Sequence, residues 1–139
     1  MLGSTPALAG SSRSGAPYKR NTMWIFLNNS FLSIVDNMDD PTGETLLVRA
    51  RFKGDLEAVF TDFSSLDLLE VEETPDADYR FRTRLPRHCV ASAIAQDILN
   101  INYPNFKDSI PEGQPNRYTA YVQTWAVMSK IQNLFSGKA

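Results

Sequence analysis

The sequence predicts an α+β fold: a mainly antiparallel sheet of about five strands, with two longer helices and one short helix packed on it. Two patterns lead to this prediction. Several segments alternate apolar and polar residues with period two and are joined by short turn sequences, as in antiparallel hairpins. Other segments repeat apolar residues every three or four positions, as amphipathic helices do. The resulting order, β-β-β-α-β-β-α-α, favours helices on one face of the sheet.

The composition fits one folded domain preceded by a tail. The chain has 139 residues, 42% of them apolar and 22% charged, and we assign the domain to residues 23–139. Residues 1–22 are rich in Gly, Ser, Ala and Pro without periodicity, so we expect a disordered tail or a non-native extension ahead of a native start at Met23. Three of the 14 basic residues lie in this tail, which leaves 11 basic against 16 acidic residues, a net charge of −5, for the domain.

The first ordered segment, residues 23–35, predicts a tight hairpin in which Asn28 and Asn29 form a two-residue turn. Both faces of this hairpin are apolar, and Trp24 and Phe31 lie together on one of them. Two interpretations follow. The hairpin is either covered on both sides, at an inner position of the sheet, or it displays an aromatic patch to a partner.

An acidic loop, a strand and a short helix come next. The carboxylate spacing of residues 36–44 does not fit a calcium loop, so we predict a solvated turn. A third strand over residues 45–52 points Arg49 and Arg51 away from its apolar side. After it, Asp55 is placed to cap a short helix with the sequence LEAVFTDF.

The clearest group of candidate binding residues lies in a second hairpin, predicted over residues 68–85. It has the sequence LLEVEE, the turn TPDAD and the return limb YRFRTRL. The return limb places Arg80, Arg82 and Arg84 on one face, because side chains alternate along a strand.

The register of this hairpin leaves two interpretations of its arginines. A register that sets Glu72 opposite Arg80 and Glu70 opposite Arg82 satisfies both faces of the hairpin at once. The arginines are then either cross-strand ion pairs on a solvated face, or part of a binding surface.

Two longer helices complete the order. The first is predicted over residues 87–101 and the second over residues 116–135, and we expect the aromatic Phe106 to pin the loop between them. The first carries an apolar stripe of Val90, Ile94, Ile98 and Ile101. The second carries a longer stripe of Tyr118, Tyr121, Val122, Trp125, Met128, Ile131 and Phe135. We interpret the longer stripe as core and not as a cofactor site.

Motifs of catalysis are absent from the sequence. There is no glycine-rich phosphate loop, no paired Cys or His ligand set and no nucleophile elbow. His88 and Cys89 are neighbours on a predicted helix and diverge by about 100°, so they do not form a dyad. We therefore expect no catalytic residue, no cofactor and no metal. No apolar run approaches the ~20 residues that span a bilayer, and one cysteine points to a reducing compartment, so we expect a cytoplasmic protein without a membrane partner.

Five stretches resemble a family of short bacterial and phage-borne proteins that have no assigned activity. They are MWIFLNNSFLSIVDN, LLVRARFKGDLEAVF, ADYRFRTRLPR, INYPNFKDSI and YVQTWAVMSKIQ, and together they cover residues 23–132. The resemblance implies a compact module and brings no catalytic residues. It also implies an accessory role for a phage or mobile element.

These observations favour a non-enzymatic module that binds and regulates another protein, for example a host complex. Arginine and aromatic side chains are the usual anchors of protein interfaces. The predicted binding residues are Arg49, Arg51, Arg80, Arg82, Arg84, Trp24 and Phe31. The first alternative uses the same residues to bind single-stranded nucleic acid, with arginines on phosphate and aromatics on bases. A small enzyme without a recognisable motif is the second alternative, and a homodimer is left open.

Overall fold

The computed structural model describes residues 22–135, which divide into two compact units, residues 22–101 and 102–135. The first unit contains a five-stranded antiparallel sheet with helices, so the predicted α+β fold is confirmed. The predicted tail covers residues 1–22, of which residues 1–21 lie outside the described part of the chain. One domain over residues 23–139 stays a prediction.

The order of elements follows the predicted one, with the short helix divided in two. The strands are β1 (Met23–Leu27), β2 (Ser30–Asp36), β3 (Thr45–Ala50), β4 (Glu72–Glu73) and β5 (Phe81–Pro86), and their order in the sheet is β1-β2-β3-β5-β4. The helices are α1 (Lys53–Val59), α2 (Thr61–Ser65), α3 (Arg87–Leu99) and α4 (Pro115–Phe135), with a 3₁₀ turn at Lys107–Ser109. The predicted two-residue turn of the first hairpin is confirmed, because Phe26 pairs with Phe31.

The core of the first unit lies on one face of the sheet, here called the helix-covered face. Alternate side chains of β2, β3 and β5 point to this face and pack with α1 and α3. The buried apolar residues of this cluster are Leu32, Ile34, Val48, Ala50, Leu56, Val59, Phe60, Leu85 and Val90. Removal of these apolar side chains from water is the main favourable contribution to the folding of this unit.

The predicted helix LEAVFTDF is divided at Phe60, where the backbone leaves the helical conformation between α1 and α2. The predicted capping role of Asp55 is wrong. Helix α1 begins at Lys53, and the Asp55 carboxylate accepts a hydrogen bond from the backbone N–H of Phe31 at 3.0 Å. Tertiary contact with β2 therefore takes the side chain that local sequence would assign to the cap.

The stripe of α3 is covered only at its start. Val90 is buried and Ile94 is half-buried, but Ile98 and Ile101 are more than half exposed. Helix α3 ends at Leu99, two residues before the predicted end. The stripe follows helical periodicity as predicted, and the sheet covers the first turns of the helix.

In the second unit, Phe106 stacks on Tyr121 of α4 with ring centroids 5.7 Å apart, so the prediction that it pins the loop is confirmed. Tyr121 is buried. The interpretation of the α4 stripe as core is wrong further along, because Trp125, Met128 and Phe135 are more than half exposed. Within residues 102–135 the 3₁₀ turn is the element that packs on α4, and it covers one end of the stripe.

The acidic loop between β2 and β3 is organised by Asp40. Its carboxylate accepts hydrogen bonds from the backbone N–H and the hydroxyl of Thr42, at 2.9 and 2.5 Å. It also accepts from the N–H and the hydroxyl of Thr45, at 2.9 and 2.6 Å. Hydrogen bonds from the Thr42 and Thr45 side chains hold the pKa of the Asp40 carboxyl well below its ordinary value of 3.8.

These hydrogen bonds predict that Asp40 makes stability depend on pH in the acid range. Because its pKa is lower in the folded state, the stabilisation is complete above the unfolded-state pKa of about 4 and is lost as the pH falls below it. We expect Asp40→Asn to lower the melting temperature at pH 7 and to flatten its dependence on pH below about 4. Thermal unfolding between pH 2 and 7 measures both effects.

A matched control for this prediction is Asp62→Asn. Asp62 is exposed, and its side chain makes no hydrogen bond within the described part of the chain. Asp62→Asn should leave the dependence of the melting temperature on pH the same as in the wild type. Identical profiles for the two variants would contradict the role assigned to Asp40.

Candidate functional site

The second face of the sheet, here called the open face, is the candidate site. No helix of residues 22–101 lies on it, because α1 and α3 pack on the helix-covered face. The polar and aromatic residues that alternation along the paired strands places on the open face include Trp24, Phe26, Phe31, Ser33, Arg49, Glu72, Arg82 and Arg84. Most of the predicted binding residues therefore share one face of the sheet.

Arg49 and Arg82 lie directly opposite each other on β3 and β5. Nη2 of Arg49 donates to the Ser33 hydroxyl at 2.8 Å, and Nη2 of Arg82 donates to the Tyr79 carbonyl at 3.2 Å. The Nε atoms of both arginines are buried and have no hydrogen-bond partner within residues 22–135. Neutral acceptors therefore hold the two guanidinium groups in place.

The Tyr79 ring contacts two of the arginines on the open face. Its ring centroid lies 4.8 Å from the guanidinium carbon of Arg49 and 4.5 Å from that of Arg51. The Arg51 guanidinium also lies 5.6 Å from the centroid of the Phe31 ring. Tyr79 is only 7% exposed, so its cation–π contacts are partly shielded from water. Such shielded contacts are stronger than cation–π contacts at the surface.

The sequence did not predict Tyr79 as a site residue. Its parity along the return limb matches that of Phe81, which predicts the helix-covered face. The chain bends over residues 77–80, however, and β5 begins only at Phe81. The bend places the tyrosine ring against Arg49 and Arg51. Periodicity carries no signal for such a bend.

The aromatic end of the open face is formed by the first hairpin. Phe31 stacks on Phe26 with centroids 4.6 Å apart, and Trp24 meets Phe31 edge-on at 6.0 Å. Trp24 is 67% exposed. Because β1 is an edge strand, the interpretation of this strand as an inner one, covered on both sides, is wrong. The aromatic patch is the interpretation that matches the position of Trp24.

The register of the second hairpin differs from the predicted one by two residues. Glu72 pairs with Arg82 and Glu73 with Phe81, whereas the prediction set Glu72 opposite Arg80. Because side chains alternate with period two, this shift keeps Glu72 on the same face as Arg82. The predicted charge face is thus retained although the predicted partners are wrong.

The first limb of this hairpin is also much shorter than predicted. Strand β4 contains Glu72–Glu73 alone. Just before it, the carbonyl of Glu70 accepts a hydrogen bond from the Thr83 hydroxyl at 2.7 Å. A side-chain donor thus takes the acceptor that a longer strand would offer to the backbone ladder.

Two of the predicted binding arginines are neutralised by carboxylates. Arg84 pairs with Glu72 at 2.9 Å, and this hydrogen bond lowers the pKa of the Glu72 carboxyl. Arg80 pairs with Glu73 at 2.6 Å, and its guanidinium carbon lies 5.8 Å from the centroid of the Phe81 ring. For these two residues the ion-pair interpretation matches the structure.

The other three, Arg49, Arg51 and Arg82, are here called the arginine cluster. Within residues 22–135, no carboxylate oxygen lies within 4 Å of their guanidinium nitrogens. They come from β3, from the residue after its end, and from β5. The structure thus brings together three positive charges that form no ion pair within the described part of the chain, although Glu72, opposite Arg82 in the sheet, attracts Arg82 at longer range.

Other side chains offer little chemistry. His88 is exposed and Cys89 is half-buried, both in the first turn of α3. Within residues 22–135, no group of three or more His, Cys, Asp or Glu side chains is arranged to hold a metal ion. None of the helices described there combines the length and apolar character that a bilayer crossing requires.

Comparison with known proteins adds no functional information. No protein-family model, no curated protein and no solved structure matches the chain. The resemblance to short bacterial and phage-borne proteins therefore stays a prediction.

Proposed function

We propose that this protein is a non-enzymatic interaction module that binds a protein partner through the open face. The observation that carries the proposal is the arginine cluster. Its guanidinium groups are positioned by aromatic rings and neutral acceptors, and no carboxylate of residues 22–135 forms an ion pair with them. An interface gains from arginines that are already held in position, because less side-chain entropy is lost on binding.

The aromatic residues of the open face favour a protein partner over single-stranded nucleic acid. Stacking of bases requires accessible ring faces. The Tyr79 ring is buried against two guanidinium groups, and Phe31 is packed by Phe26, Arg51 and the edge of Trp24. Trp24 alone among these rings is largely exposed, and tryptophan and arginine are enriched in protein-binding hot spots.

The setting of this function follows the resemblance noted above. A phage or mobile-element accessory protein would use the open face to regulate a host complex. A small enzyme gains no support from the arrangement of His88 and Cys89.

An affinity pull-down with matched charge reversals tests the proposal. Arg51→Glu reverses an exposed charge of the arginine cluster. Lys53→Glu reverses an exposed charge two residues away on α1, where Lys53 lies 3.9 Å from Glu57. We expect Arg51→Glu to reduce capture of at least one protein by about tenfold or more, and Lys53→Glu to leave it unchanged.

Thermal unfolding of both variants shows that each remains folded. Capture of every protein at wild-type levels by Arg51→Glu would refute the proposal. Capture that is abolished by nuclease, with a steep loss between low and moderate salt, would instead indicate nucleic acid.

A further inference from the structure

The arginine cluster includes an unfavourable electrostatic arrangement. Arg49 and Arg82 form a directly opposed cross-strand pair, and like charges in such positions destabilise a sheet. Glu72 lies opposite Arg82 and attracts it, but the Glu72 carboxylate hydrogen-bonds to Arg84 at 2.9 Å and is shared between the two arginines. One carboxylate therefore offsets only part of the repulsion among these arginines, and a bound anion would relieve the rest.

The groups of the cluster also keep most of their donors. A guanidinium group carries five N–H donors. Arg49 and Arg82 each use one in a hydrogen bond to a neutral acceptor, their Nε donors are buried, and Arg51 contacts aromatic rings instead. The donors that remain on the Nη atoms match carboxylate oxygens, which arginine binds through charge-assisted hydrogen bonds.

The arginine cluster spans two neighbouring strands. Arg49 and Arg82 are directly opposed on β3 and β5, which corresponds to a Cα separation of about 5 Å, and Arg51 follows in the bend just past the end of β3. An extended peptide presents alternate side chains on one face at intervals of about 6.6–6.8 Å, so one such segment offers several carboxylates to the cluster.

We infer that the partner of the open face presents an extended acidic segment, with carboxylates at alternate positions that bind across the arginine cluster. This inference rests on the proposed function and names the chemistry of its partner. It predicts that the unbound face is electrostatically strained and that an acidic segment stabilises the folded protein, because a ligand of the native state raises its stability by mass action.

Binding of short labelled peptides tests the inference. The probes are a ten-residue peptide of alternating Glu and Ser, the same peptide with Gln in place of Glu, and a ten-nucleotide oligothymidylate. Fluorescence anisotropy should show the Glu peptide binding at least about tenfold more tightly than the Gln peptide. The Glu peptide should also raise the melting temperature of the protein.

Two double variants of equal net charge locate the site. Arg49→Gln with Arg82→Gln removes the opposed pair, whereas Arg80→Gln with Lys53→Gln removes two charges that are paired with Glu73 and Glu57. The first should weaken binding of the Glu peptide by about tenfold or more, and the second by less than about threefold. Arg51→Gln, at an exposed position, repeats the test if the first double variant unfolds.

Three outcomes would overturn the inference: no binding of the Glu peptide, an equal loss in both double variants, or tighter binding of the oligothymidylate. The pull-down distinguishes these failures from failure of the proposed function. If a protein is captured through Arg51 but the Glu peptide neither binds nor competes with it, the open face binds proteins by another chemistry.

Discussion

Phe60→Ala is expected to lower the free energy of unfolding by about 3–5 kcal/mol, because it removes a buried aromatic ring and leaves a cavity. Phe60 is 2% exposed and is among the largest fully buried side chains of the described residues. It lies between α1 and α2 and packs in the cluster that joins these helices to the sheet. Urea unfolding of the variant and the wild type measures the difference.

Phe52→Ala is the matched control for this substitution. Phe52 precedes α1, and its side chain is 65% exposed. The same chemical change should there alter the free energy of unfolding by less than about 1 kcal/mol. Similar losses at the two positions would mean that the helix-covered face is not packed as the structure shows.

Asp55→Ala is expected to lower the free energy of unfolding by about 1–3 kcal/mol, because it leaves a backbone donor without its acceptor. Asp55 is 4% exposed, and its Oδ2 accepts the Phe31 N–H at 3.0 Å. Its backbone carbonyl also accepts the Ser30 hydroxyl at 3.2 Å and remains in the variant. The substitution thus separates the side-chain contribution from that of the backbone.

Two measurements check this prediction. Urea unfolding gives the change in stability, with the exposed Glu57→Ala on the same helix as a control that should show little change. Amide hydrogen exchange should show faster exchange at Phe31 in Asp55→Ala, because its N–H loses a hydrogen-bond acceptor. Unchanged exchange at Phe31 would contradict the role given to the Asp55 carboxylate.

The Asp55 contact also supports the candidate site. It ties helix α1, on the helix-covered face, to the start of β2, whose Phe31 packs between Trp24, Phe26 and Arg51 on the open face. If the start of β2 becomes more mobile, the Phe31 ring should therefore hold the Arg51 guanidinium less firmly. Sites that depend on supporting contacts of this kind lose precision when those contacts are removed.

Local pattern predicted the parts of the fold that depend on neighbours in the chain. Two asparagines placed the first turn, and the register of β1 with β2 followed from it. Alternation placed Arg49 and Arg82 on the face opposite the core, and it stayed correct when the hairpin register moved by two residues. These features were predictable because turn geometry and side-chain parity are set within a few residues.

Local pattern failed where a distant segment competes for the same group. The Asp55 carboxylate accepts a hydrogen bond from the Phe31 N–H of β2, and the Glu70 carbonyl accepts one from the Thr83 hydroxyl. The bend at residues 77–80 that places Tyr79 against Arg49 has no periodic signature. For α4, periodicity gave the apolar stripe but not what covers it.

The sequence by itself determined the α+β class, the turn of the first hairpin and the alternation that puts arginine and apolar side chains on opposite faces, because these depend on backbone geometry over a few residues. Only the tertiary structure decided which arginines form ion pairs. Arg84 and Arg80 lie next to Glu72 and Glu73, whereas Arg49, Arg51 and Arg82 meet rings and neutral acceptors. The physical reason is that an ion pair requires two charged groups within about 4 Å, and that distance is set by strand pairing across the sheet.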